Sequence, residues 1–159
     1  MVPSGCKCKR RDGEFVIIID NIRKFIAENC PYIKGKKTLK LNCLEGEAPA
    51  MTIEQVPAEP IIKKYTDGGS MRQAVFVIAS REEYDTQLWK QVESVDFYEK
   101  LSDWFEEISF KKQMPDLGDG FAALRFETLT TGYLFSVSPD MARYQIQCRL
   151  IYTKEGRFK

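Results

Sequence analysis

The amino-acid sequence predicts an α+β fold, a two-layer sandwich whose mostly antiparallel sheet carries two main helices on one face. Three observations lead there. Two segments, Phe15 to Ile26 and Phe97 to Ile108, repeat apolar residues at the three-and-four spacing of an amphipathic helix. Two others, Lys37 to Leu44 and Ala142 to Tyr152, alternate apolar and polar residues over strand length. Between them Val75-Phe76-Val77-Ile78-Ala79 is apolar without alternation, so neither face of that strand suits water and it belongs in the middle of a sheet. Helices with one apolar stripe and strands with one apolar face must cover each other, which gives two layers around one core.

The totals fit that class. A chain of 159 residues can bury a core without metal or disulfide support. It divides into a basic arm over 1–12, one α+β domain over 13–153 and a polar tail over 154–159. No apolar run reaches the ~20 residues of a membrane span, and no signal-peptide core follows the basic N-terminus, so the expectation is a protein of the reducing cytoplasm with no membrane partner. The cysteines agree: Cys6, Cys8, Cys30, Cys43 and Cys148 are odd in number and lack framework spacing. Cys6-Lys7-Cys8 does not match zinc-ligand spacing, and the chain has no histidine to complete a site. The same absence removes Ser-His-Asp and Cys-His nucleophile systems. Carboxylate or lysine chemistry stays open, but no pattern nominates it, so neither an enzyme nor a cofactor is expected.

In chain order, residues 1–12 read as a solvated arm, since Lys7, Lys9, Arg10 and Arg11 lack the interleaved aromatics of a nucleic-acid patch. The first helix starts near Glu14, buries Phe15, Ile18, Ile19, Ile22, Phe25 and Ile26, turns Asp20, Arg23 and Lys24 outward, and stops near Cys30 because of Pro31. After the Lys34–Lys37 loop comes the Lys37–Leu44 strand. The Glu45–Pro49 turn region leads to a second strand from Met51, which Pro57 and Pro60 end or hold at an edge. A short extended arm from Pro60 then reaches the Asp67-Gly68-Gly69-Ser70 turn and the apolar Ala74–Ala79 strand, which closes near Arg81. The second helix spans Val95 to Lys111, with Phe97, Tyr98, Leu101, Trp104, Phe105 and Ile108 inward and Glu99, Asp103, Glu106 and Glu107 outward. Its aromatic stripe fits core packing better than a ligand wall. Met114 to Gly120 breaks the helix as a flexible loop and lacks the ligand spacing of a calcium loop. Strands at Leu124–Leu129 and Ala142–Tyr152, separated by Gly132 and a turn at Ser138-Pro139-Asp140, form an antiparallel pair. The order is helix, three strands, helix, two strands.

Charge is distributed unevenly. Residues 1–40 carry ten Lys/Arg against four Asp/Glu, residues 41–120 eight against sixteen, and residues 121–159 six against three. Solvated surface explains this, and so does a basic patch on one copy meeting an acidic patch on the next. The sheet face away from the helices would present Arg143, Gln145, Gln147 and Arg149, a polar surface suited to an assembly or a lumen.

Three segments carry a family resemblance: PAEPIIKKYTDGGSMRQAVFVIASREEY (Pro57–Tyr84), DFYEKLSDWFEE (Asp96–Glu107) and LTTGYLFSVSPDMARYQIQCRLIY (Leu129–Tyr152). In these the chain resembles the minor capsid or tail terminator (tail completion) proteins of phages and prophages of Gram-positive bacteria. Residues 1–14 depart from the pattern, being longer and more basic. The resemblance implies a structural virion protein, assembled in the host cytoplasm. It would cap the tail tube as a hexameric ring and join it to the head-tail connector, with the tail tube protein and the connector protein as partners. It transfers no catalytic residues. It does imply loops that reach neighbouring subunits, for which Tyr65 to Arg72 and Met114 to Gly120 are the candidates. The residues concerned are Lys63, Lys64, Tyr65, Asp67, Arg72, Asp116 and Asp119. Arg143 and Arg149 are candidates either for non-specific DNA contact in the channel or for pairing with acids of the neighbouring subunit. The alternative is a monomeric host protein-binding module with no viral role.

Overall fold

The computed structural model describes residues 18–33, 39–41, 50–83, 88–137 and 141–156. The basic arm, Phe15, the Lys34–Lys37 loop, Cys43, the Glu45–Pro49 region, Tyr84 and the Ser138–Asp140 turn lie outside them. The elements are α1 (Ile18–Asn29), β1 (Leu39–Leu41), β2 (Ala50–Gln55), β3 (Ile61–Lys64), β4 (Ser70–Glu83), α2 (Leu88–Phe110), β5 (Phe121–Thr128), β6 (Tyr133–Val137) and β7 (Met141–Lys154). Helices and sheet form the α+β sandwich that the hydrophobic periodicities predict.

The sheet is built on one long antiparallel pair. β4 and β7 are 14 residues each and stay in register from Ser70 opposite Lys154 to Glu83 opposite Met141. Neither outer edge of that pair is covered by a single strand. At the Ser70–Lys154 end β4 is flanked by β3 and β7 by β5. At the other end the flanking strands are β2 and β6, and β1 adds to β2 in parallel. The Val75–Ala79 run therefore has a hydrogen-bonded neighbour on each side, as its unbroken apolar sequence requires.

The core lies between the helices and one face of this sheet. Ile22 and Ile26 of α1 and Leu101, Phe105 and Ile108 of α2 pack with Phe76, Ile78, Ile146, Cys148 and Leu150 of the two central strands. Aromatic rings tie the layers together. Phe25 stacks on Trp104 and on Phe126, while Phe105 stacks on Phe126 at 4.9 Å and meets Phe76 edge-on. Burial desolvates the Cys30 and Cys148 thiols and pushes both pKa values up, so they behave as small apolar residues.

Several boundaries differ from the expectation. α2 begins at Leu88 rather than Val95, and β4 continues to Glu83. Two further strands were not expected as strands: β3, read as a short extended arm, and β6, which no pattern marked. Each is short, four and five residues, and neither alternates, because no face of either is buried. They form because β4 and β7 outrun β2 and β5 and leave backbone groups to be paired. Asp20, expected on the outer side of its helix, is only 8% exposed; Arg23 at 2.9 Å and Lys24 at 3.4 Å neutralise it from the next turn. The polar tail begins inside β7, which includes Lys154, and the Glu155 amide donates to the Gly120 carbonyl at 2.8 Å.

Candidate interaction surface

The two loops expected to reach neighbouring subunits are brought to the same end of the sheet. The row Ser70, Lys154, Phe121 crosses β4, β7 and β5 there, so the β3–β4 turn and the α2–β5 loop lie either side of the C-terminal end of β7. Each loop is held by its own backbone. In the first, Asp67 accepts the Gly69 amide on its carboxylate at 2.8 Å, Gly68 takes a φ of 88°, and the Tyr65 amide closes on the Gly69 carbonyl. In the second, Asp116 accepts the Gly118 amide at 2.9 Å, while Leu117 is buried in the core and anchors a loop that composition alone reads as flexible.

The turn is locked from below by Gly156. A Cβ there would stand 2.1 Å from the Asp67 carbonyl oxygen and 2.8 Å from the Gly69 nitrogen, so only glycine allows this approach. Lys63, Lys64, Tyr65 and Asp67 are exposed above this base, with the Lys63 ammonium 5.7 Å from the Tyr65 ring centre. Arg72 is half-buried and its Nε donates to Ser70 Oγ at 2.9 Å. Asp116 and Asp119 are exposed on the other loop. Lys154, whose ammonium lies 5.9 Å from the Phe121 ring, joins this end, and the sequence reading missed it because the residue was assigned to the tail.

Arg143 and Arg149 are elsewhere, on the sheet face turned away from the helices, and the carboxylates that meet them belong to this chain. Arg143 binds Glu54 of β2 through both terminal nitrogens, at 2.9 and 3.5 Å, and its guanidinium lies 5.2 Å from the Phe135 ring centre. Arg149 donates to Glu127 of β5 at 2.6 Å and to Gln73 of β4 at 3.1 Å. Glu127 also receives Arg125 at 2.7 Å, and the two guanidiniums, Arg125 foremost, hold its carboxyl below the usual range against the opposing effect of burial. Gln145 donates to the Tyr133 hydroxyl at 2.6 Å. This polar layer roofs Val75, Val77 and Ala79, all buried although they face away from the core. Alternation predicted which residues share the face. The cross-strand partners Glu54 and Glu127 carry no sequence signal, since pairing depends on register.

Midway along β7, between β5 and β6, lies a feature that no sequence pattern flagged. A cleft of about 460 Å³ opens between α2 and residues 128–132, lined by Tyr98, Glu99, Ser102, Asp103, Thr130 and Ile146 among others. Its floor is fixed by Gly132, where a Cβ would meet the Tyr98 Cβ at 2.3 Å. Beside it runs β6, with Tyr133, Leu134, Phe135 and Val137 all exposed. Among the described residues no cluster of three metal-ligating side chains occurs and no helix is long and apolar enough to cross a membrane. Neither protein-family models nor curated proteins match this sequence.

Proposed function

We propose that this chain is a structural subunit of a phage tail, a tail terminator that caps the tube as a hexameric ring and joins it to the head-tail connector. The observation that carries the reading is where the three family-like segments meet. Tyr98, from Asp96–Glu107, shares a hydrogen bond of 2.6 Å with Ser80 Oγ, from Pro57–Tyr84, and donates at 3.0 Å to the Tyr144 carbonyl, from Leu129–Tyr152. Gly132, also in the third segment, packs directly on the Tyr98 side chain. Residues far apart in the chain thus resemble one family at positions that form one buried node, as expected of an inherited structural unit.

The remaining features suit such a role. The loop end presents exposed charge of both signs on backbone-locked turns, and the far end presents an apolar strand. A ring subunit needs two different surfaces that complement each other. In the test, protein mixed with purified tail tubes co-sediments with them, and electron microscopy finds it as a ring at one end of each tube. Protein left in the supernatant, with tubes bare at both ends, would favour a monomeric binding module instead.

A further inference from the structure

β6 is an edge strand with no charge or proline to guard it. Among the described residues it pairs only with β7, so its outer row of amides and carbonyls has no strand partner. Edge strands are normally guarded by lysine, proline or inward charge, because an open apolar edge recruits another strand. Tyr133-Leu134-Phe135-Ser136-Val137 contains none of these, its one irregularity being a register shift between Leu134 and Ser136, and Leu134, Phe135 and Val137 are 47, 56 and 51% exposed. The cleft at its start carries Glu99 and Asp103, both exposed and without a described cationic partner.

The diagonally opposite corner of the sheet holds the complement. Among the described residues β3 also pairs with one neighbour only, β4, and is matched to β6 in length at four residues against five. Ile62 is 46% exposed, while Lys63 and Lys64 guard this edge against indiscriminate pairing and extend to opposite faces of the strand. Free edge meets free edge, apolar side chain meets apolar side chain, and Lys64, in register with Ser70 and so on the helix side of the sheet, faces two carboxylates. Because the two strands sit at opposite corners, joining them relates copies head to tail, the arrangement that closes into a ring.

We propose that the sheet continues between copies: β6 of one copy takes β3 of a second copy along its free edge, with Lys64 entering the cleft beside Glu99 and Asp103. This rests on the ring reading for its biological setting, but it is tested separately. Sedimentation equilibrium up to about 1 mM reads self-association of the full chain. The wild type associates. Leu134→Lys, on an exposed position, weakens association about tenfold or more, as a charge in the strand edge should. Lys64→Glu and Glu99→Lys/Asp103→Lys each weaken it, and the chain carrying all three substitutions recovers it. Melting curves of the variants establish that the monomers fold.

A wild type that stays monomeric, or variants that associate as it does, would overturn the proposal while leaving tube capping to the co-sedimentation experiment. So would weakening by both charge changes without recovery in the combined variant. Association that responds to the substitutions as stated, in a protein that neither closes rings nor binds tubes, supports the strand pairing and removes the ring reading. Recovery by a strand of the tube or connector protein, with no self-association, reassigns the edge to that partner and overturns pairing between copies.

Discussion

Lys112 occupies a backbone conformation that costs an L-amino acid free energy. The last turn of α2 closes with the Lys112 amide on the Ser109 carbonyl and the Gln113 amide on that of Ile108, a Schellman cap whose left-handed position, φ 59°, is normally glycine. A Cβ there is disfavoured by roughly 1–2 kcal/mol, partly offset by the greater freedom glycine gains on unfolding. Lys112→Gly is therefore expected to stabilise the protein by about 1 kcal/mol, seen as a higher denaturation midpoint at unchanged slope. Lys112→Ala, which keeps the Cβ, should leave the midpoint close to wild type. The sequence marked the break at Met114-Pro115 but not this residue, because a lysine in a glycine position has no propensity signature. Gly156 and Gly132 were equally illegible. Both are required by backbone or side-chain atoms that only the tertiary fold brings near.

At the scale of elements, legibility followed burial. Both helices and the two central strands bury one face or two, so their periodicity was readable, and the inward stripe of Tyr98, Leu101, Trp104, Phe105 and Ile108 is buried as its spacing implied. β3 and β6 bury no side chain fully and so carry no period. The charged face shows the same division: its membership followed from alternation in β7, while its pairings awaited the register of β2, β4 and β5. That register makes a prediction about acid. Glu127 has a folded pKa below its unfolded value of ~4.3, so its ionised form adds stability above about pH 4.3, and that contribution is lost as pH falls through the folded pKa. Glu127→Gln should lower stability at pH 7 by about 1 kcal/mol or less, given the group's partial exposure. The difference from wild type should shrink as the pH is taken below ~4 in parallel urea titrations. A gap that stays constant with pH would mean that packing, not charge, is what the substitution removes.

For the molecule as a whole, the candidate surfaces were only half legible. The glycine-rich turn and the acidic loop were visible as punctuation, but their gathering at one end of the sheet is a consequence of β7 running the full length of β4. What couples that end to the apolar far edge is the pair of central strands, and to the apolar packing of α2 on those strands the Tyr98 hydroxyl adds a polar tie. It joins helix, β4 and β7 through two hydrogen bonds in a site where no described buried side-chain polar atom lacks a partner. Removing one hydroxyl there leaves the Ser80 hydroxyl short of a buried partner, a deficit of roughly 1–3 kcal/mol. Tyr98→Phe changes little volume, so this loss is not mixed with a large cavity. Because three elements share the node, the loss should appear as an equal drop in protection of the slowest-exchanging amides of α2, β4 and β7 under native-state hydrogen exchange. A local origin would instead loosen β6 and the 128–132 segment alone, leave the central strands protected as before, and show that the node seats the cleft rather than the fold.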